Sequence, residues 1–192
     1  FAIINYLNQN LIEEIIVFDP HFKSSDLPFK AIVKTINQDQ VFHDVLKNKN
    51  VDQTLIVGPD KGSKERVEKM SKALNVKSVT FNKQRNNHNE TVQIIITDLV
   101  SNEIEKCNYF LLFDDEICSG DTLKKTINAI ILINKKAIID VYITHNFINN
   151  DSGEIFQYVN KLYISNSIHN EFSHPRLNKI DLSSQIIAQI NT

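Results

Sequence analysis

The chain has 192 residues, 42% of them hydrophobic and 23% charged, with a formal net charge of -2. That length and mixture suit a soluble globular protein with a sizeable core, and the near-neutral balance removes any electrostatic case for nucleic-acid binding. Two cysteines, Cys107 and Cys118, are too few for a disulfide framework, and apolar runs such as Ala129 to Ile133 are too short to cross a bilayer, so a cytoplasmic protein without membrane partners is expected. In chain order, Phe1, Ile4, Leu7 and Leu11 recur at helical spacing and predict a helix over residues 2–10. No capping residue precedes that helix, so either upstream sequence outside this chain or a cleaved or trimmed product is expected. Strands are predicted over residues 14–18, 54–58, 78–81, 92–97, 109–113, 137–144 and 161–165. Helices are predicted over 63–74, 122–133 and 183–190, and around 38–48 and 153–160. Such alternation builds βαβ units, so the expected class is α/β, with a mostly parallel twisted sheet and helices on both faces.

Residues that carry chemistry cluster after the strands. Asp19-Pro20-His21 follows the first one: His21 is either a metal or phosphate contact or a surface residue, and Asp19 is otherwise a turn residue. The loop Gly58-Pro59-Asp60-Lys61-Gly62 is either a plain turn or a ligand loop, in which Asp60 meets a sugar hydroxyl or a divalent cation. Lys83-Gln84-Arg85 begins a polar stretch to Glu90 that reads as an exposed, mobile loop. The two cations are either solvated or close over a polyphosphate; arginine is scarce here, with only Arg66, Arg85 and Arg176. Thr144-His145 and Ser165-Asn166-Ser167 end two later strands, and His43, His88, His169 and His174 show no metal spacing.

The most informative stretch runs from Phe110 to Leu123. An apolar run, Phe110-Leu111-Leu112-Phe113, reads as a buried parallel strand ending in Asp114 and Asp115. Cys118-Ser119-Gly120-Asp121-Thr122 then opens an amphipathic helix through Leu123, Ile127, Ile130 and Ile131. Open α/β sheets bind ligands beyond the carboxyl ends of their strands. A small-residue loop entering a helix offers backbone N–H groups to an anion, and neighbouring acids accept sugar hydroxyls. Together these describe a site for a phosphorylated sugar; read blandly, they are a strand and an ordinary capped helix. Neither G-x-x-x-x-G-K-[ST] nor G-x-G-x-x-G occurs, which argues against a P-loop kinase or a dinucleotide-binding dehydrogenase.

This stretch resembles the phosphoribosyl-pyrophosphate (PRPP) loop of type I phosphoribosyltransferases and of PRPP synthetase. The order of all the landmarks, from Asp19-Pro20-His21 to Ser165-Asn166-Ser167, looks like PRPP synthetase, whose N-terminal domain would lie upstream of residues 1–192. The resemblance implies a phosphoribosyltransferase-like fold and transfer of the diphosphoryl group of ATP to the 1-hydroxyl of ribose 5-phosphate, with Mg²⁺, giving PRPP and AMP. It implies that Cys118, Ser119, Gly120, Asp121 and Thr122 cradle the 5-phosphate and that Asp114 and Asp115 hold the ribose hydroxyls. It also implies that His21 and Asp60 place Mg²⁺ and substrate, that Lys83 and Arg85 act on the transferring group, and that the protein is a homo-oligomer. The alternatives are a transferase that consumes PRPP and a catalytically silent regulatory subunit. Two departures stand in the loop itself: Cys118 replaces the usual Asp or Ser, and Asp121 the usual Gly.

Overall fold

A computed structural model describes residues 2–22, 26–47, 49, 52–85, 92–147 and 152–190. Its centre is a six-stranded sheet in the order β10-β9-β8-β7-β3-β4, with every neighbouring pair parallel. These strands are β3 (Thr54–Gly58), β4 (Lys77–Thr80), β7 (Tyr109–Ile117), β8 (Ile138–Asn146), β9 (Lys161–Ser165) and β10 (Leu177–Ile180). A separate parallel pair joins β1 (Glu14–Phe18) to β2 (Ile32–Ile36), and an antiparallel ribbon joins β5 (Asn82–Arg85) to β6 (Val92–Ile95). The helices are α1 (Ala2–Gln9), α2 (Gln38–Val41), α3 (His43–Leu46), α4 (Lys64–Leu74), α5 (Asp98–Glu105), α6 (Asp121–Ile133) and α7 (Ser183–Ile190).

The apolar runs explain the central strands. A parallel strand covered on both faces has no polar side to show, and every residue of Thr54–Gly58 and of Phe110–Phe113 is buried. Alternate residues sort onto two cores. Leu55, Val57, Phe110, Leu112, Val141 and Leu162 pack with α5 and α6, while Ile56, Leu111, Phe113, Tyr142 and Tyr163 pack with α2, α3 and α4. Each such side chain contributes about 1.5–3 kcal/mol on burial. On the second face Phe113, Tyr142 and Tyr163 stack in a row across three strands, with centroids 4.7 Å apart at each step.

The α/β class, the parallel sheet and the helices on both faces agree with the sequence expectation. The structure differs in detail. β2, β5, β10 and α5 had no counterpart in the sequence reading, and the helix expected around 38–48 is two four-residue helices. Residues Ser152–Gln157 form a 3-10 helix rather than an α-helix. β7 does not stop at Phe113 but runs on to Ile117, because its ladder with β8 continues through Asp114–Ile143 to Ile117–Asn146.

Candidate functional site

The C-terminal parts of β3 and β7 open onto a cleft of about 1150 Å³. Its walls come from the turn after β1, from α2, from the β3–α4 loop with the first turns of α4, and from Asp114 and Asp115 in β7.

β3 ends at Gly58, where a side chain has no room: a Cβ would stand 2.4 Å from the Ser63 Oγ. That space lets the next turn fold back. Asp60 Oδ1 accepts the Ser63 N–H at 3.2 Å, and the Ser63 hydroxyl donates to the Asp60 carbonyl at 2.6 Å. Asp60 therefore caps the 3-10 turn Lys61–Ser63 while also lining the cleft.

Arg66, in the first turn of α4, is the cation at the centre of the site. Its Nε lies 3.6 Å from Asp19, one Nη 3.9 Å from Asp114 and the other 3.4 Å from Asp115. A cation near a helix N-terminus opposes the dipole, and these three acids offset that. Asp115 also pairs with His21, whose ring is otherwise open to solvent. Burial and the neighbouring Asp115 push the Asp114 carboxyl up to about 7. Burial acts on Asp115 in the same direction, but Arg66 and His21 outweigh it and hold Asp115 below the usual carboxylate range. The same pairing raises His21 above the ordinary imidazole value. One carboxylate of the pair thus holds its proton readily near neutrality while the other stays ionised.

A buried chain of hydrogen bonds fixes this cluster. The Thr144 hydroxyl donates to Asp19 at 2.8 Å. The Gln38 amide donates to the Asp114 carbonyl at 2.6 Å and to Thr144 Oγ1 at 3.3 Å. Asp19 is buried and takes a positive φ of 39°, so it is both turn residue and anchor.

The loop expected to cradle a phosphate enters α6 as predicted, with Gly120 at φ 75° capping the helix. The cleft lining reaches Asp114 and Asp115 but stops short of Cys118, Ser119, Gly120, Asp121 and Thr122. Cys118, Ser119 and Asp121 are exposed, and the Ser119 hydroxyl donates to the Asp121 carboxylate at 3.1 Å. The Asp121 N–H returns to Ser119 Oγ at 3.3 Å.

Other expected positions resolve differently. The backbone of Lys83 and Arg85 is not loop but β5, opposite Ile94 and Val92; the stretch 86–90 lies outside the described residues. Both ring nitrogens of His145 are engaged, with Ser167 at 2.9 Å and the Phe18 carbonyl at 3.0 Å, which makes it a pin between β8, β1 and the turn after β9. Among the described residues no group of three or more His, Cys, Asp and Glu side chains is arranged to hold a metal ion, and no helix is long and apolar enough to cross a membrane. Sequence reasoning missed Arg66 and Gln38 as parts of the site. The scarcity of arginine was the only signal for the first, and nothing marked the second.

A family model described as the phosphoribosyl transferase domain matches residues 28–172. The chain belongs to the phosphoribosyl transferase domain family. A curated relative of this domain, the ribose-phosphate pyrophosphokinase of Pyrococcus abyssi (strain GE5 / Orsay), is 28% identical over 163 residues, 84% of this chain and 54% of that protein. The chain thus spans about half the length of that relative. The crystal structure of phosphoribosylpyrophosphate synthetase from Mycobacterium smegmatis shares the fold, with a TM-score of 0.75 at 16% identity, over 99% of this chain and 61% of that one. The phosphoribosyl transferase domain here is therefore similar to that of PRPP synthetases.

Proposed function

We propose that this chain binds ribose 5-phosphate and takes part in making PRPP, by transfer of the diphosphoryl group of ATP to the sugar 1-hydroxyl. The observation that carries the reading is the pair Asp114–Asp115, set in the C-terminal half of the central parallel strand β7 and clamped by Arg66 in an open cleft. Ligands of such sheets bind there, and fixed carboxylates accept hydroxyl hydrogen bonds. The similarity to a protein named ribose-phosphate pyrophosphokinase supports the same reaction.

In this reading Cys118, Ser119, Gly120, Asp121 and Thr122 receive the 5-phosphate, and Lys83 and Arg85 act on the transferring group. The transfer depends on positioning and charge neutralisation more than on covalent chemistry. Mg²⁺ would be held by Asp60 and His21. Asp60 supplies the oxygen ligand that a hard cation prefers, phosphate oxygens and water would complete the shell, and His21, on the same cleft, would have to release Asp115 and its proton to join it. When bound, Mg²⁺ would neutralise phosphate charge. The active form is a cytoplasmic homo-oligomer.

The test is incubation of the protein with ribose 5-phosphate, ATP and Mg²⁺, followed by assay of PRPP and AMP together. Formation of both supports the synthetase. Absence of both from a folded protein that still binds ribose 5-phosphate moves the reading to a PRPP-consuming transferase, which the family match also accommodates, or to a silent subunit. Lys83→Ala should remove most turnover and leave ribose 5-phosphate binding near its original level; an unchanged rate would exclude Lys83 from the transfer.

A further inference from the structure

We propose that Arg66 is a positioning residue for the vicinal diol of the sugar, its guanidinium tying Asp114 and Asp115 to the buried Asp19. The proposal rests on the ribose 5-phosphate reading above and adds how the cleft would recognise hydroxyls.

Three features carry it. First, the guanidinium spans three carboxylates at once, at 3.4, 3.6 and 3.9 Å, and a planar fork does this where a point charge cannot. Secondly, its far end is fixed. Asp19 is tied to Thr144, Thr144 to Gln38, and Gln38 to the Asp114 carbonyl, so that Arg66, Asp19, Thr144, Gln38 and Asp114 close a ring. A movement of Asp114 must strain that ring, and Asp115 is held to it through Arg66. Thirdly, the contacts are ion pairs longer than hydrogen bonds, and the buried Nε has no hydrogen-bond acceptor. Arg66 therefore balances charge without occupying the carboxylate lone pairs. An ionised carboxylate, as Asp115 is, offers about four acceptor sites, and a protonated one, as Asp114 readily becomes, keeps acceptor capacity beside its O–H donor. Among the described residues Asp114 receives one hydrogen bond, from the Asp115 N–H, and Asp115 receives two, from His21 and from the Asp114 carboxyl. Capacity to accept two sugar hydroxyls remains.

The test compares ribose 5-phosphate with 2-deoxyribose 5-phosphate, which lacks one hydroxyl of the diol and keeps the phosphate. Affinities for both are measured by calorimetry on the wild-type chain, Arg66→Gln and Arg66→Lys, with circular dichroism as the check on folding. The wild type should prefer ribose 5-phosphate. In Arg66→Gln that preference should fall about tenfold, the size of a lost hydrogen bond to a charged group, with the deoxy sugar little affected. Arg66→Lys, which keeps the charge and loses the fork, should lie between the two, and it decides the matter if the glutamine variant does not fold. An unchanged preference, or an equal loss for both sugars, would overturn the positioning role while leaving the ribose 5-phosphate reading intact. A folded wild type that binds neither sugar would overturn that reading, and this proposal with it.

Discussion

Lys49 reaches Asp140 at 2.7 Å inside a pocket shared with the hydroxyls of Tyr109 and Tyr163, at the ends of the strands opposite the cleft. Asp140 is fully buried and also receives Tyr109 and the Asn160 amide. Burial works against the charge on Lys49, but Asp140 and Tyr109 outweigh it and keep the amine protonated. Removing one partner of a buried pair leaves an uncompensated charge. Lys49→Met should therefore cost about 3 kcal/mol of stability in urea unfolding. Ligand affinity at the cleft should not change; a loss of affinity without a loss of stability would show that this network is not purely structural.

The two acids of the cleft should pull stability in opposite directions with pH. An unfolded aspartate titrates at about 3.9, whereas Asp114 in the fold titrates at about 7. Between these values the folded chain keeps a proton that the unfolded chain has released, so Asp114 makes stability fall as pH rises from about 4 to about 7, and the cost persists above. Asp115, with its lowered value, contributes stability above the ordinary carboxylate range and loses it on acidification. Asp114→Asn removes the first effect, while Arg66 and His21 still hold Asp115 down. Its urea midpoint should exceed that of the wild type at pH 8 and match it near pH 4. An equal gain at both pH values would show that the aspartate is not held protonated by its surroundings.

Asp121 sets its carboxylate at the N-terminus of α6 and engages the Ser119 hydroxyl. A negative side chain stabilises that helix end but competes with any anion brought to it. Asp121→Asn should tighten ribose 5-phosphate binding by about fivefold, near 1 kcal/mol, while lowering stability by about 0.5 kcal/mol. Calorimetry and thermal melting of the same preparation would check both; weaker binding would mean that the carboxylate assists the ligand instead.

Gly58→Ala should be destabilising, since its Cβ would collide with the Ser63 Oγ at 2.4 Å. A cost of about 1–3 kcal/mol is typical of overpacking. Ser63→Ala removes the obstacle but also the hydroxyl that donates to the Asp60 carbonyl. The double variant should then be more stable than the sum of the two single costs predicts. Strict additivity would place the strain elsewhere.

How much of this was legible in the sequence depended on what each residue's signal was made of. β3 and β7 announced themselves because fully buried strands must be apolar throughout, and α6 because its buried residues, Leu123, Ile127 and Ile130, keep helical spacing. Asp114 and Asp115 stood out as charges set against such a run. β10 was invisible: Leu177-Asn178-Lys179-Ile180 is an edge strand, half-exposed, and gains its place from pairing with β9 rather than from its own composition. The continuation of β7 to Ile117 was hidden for the same reason, since its ladder to β8 overrides the polarity of Asp114, Asp115 and Glu116. Arg66 reads in sequence as one charge among Lys64, Glu65, Glu68 and Lys69 on an amphipathic helix. Only the packing of α4 against β3 and β4 turns it towards acids that lie 47 and more residues away. Gln38 owes its place to long-range contacts of the same kind.

The ring through Asp19, Thr144, Gln38 and Asp114 also sets the order in which the molecule can mature. A chain emerging from the ribosome displays the acids of β7 some thirty residues before Thr144, which they need as a neighbour through Gln38 and Asp19. Links of 76, 106 and 125 residues cannot close until β8 is out and paired. The nascent protein must therefore carry an unfinished, charged strand end while some thirty further residues are made, and the cleft becomes competent in one late step rather than by gradual assembly.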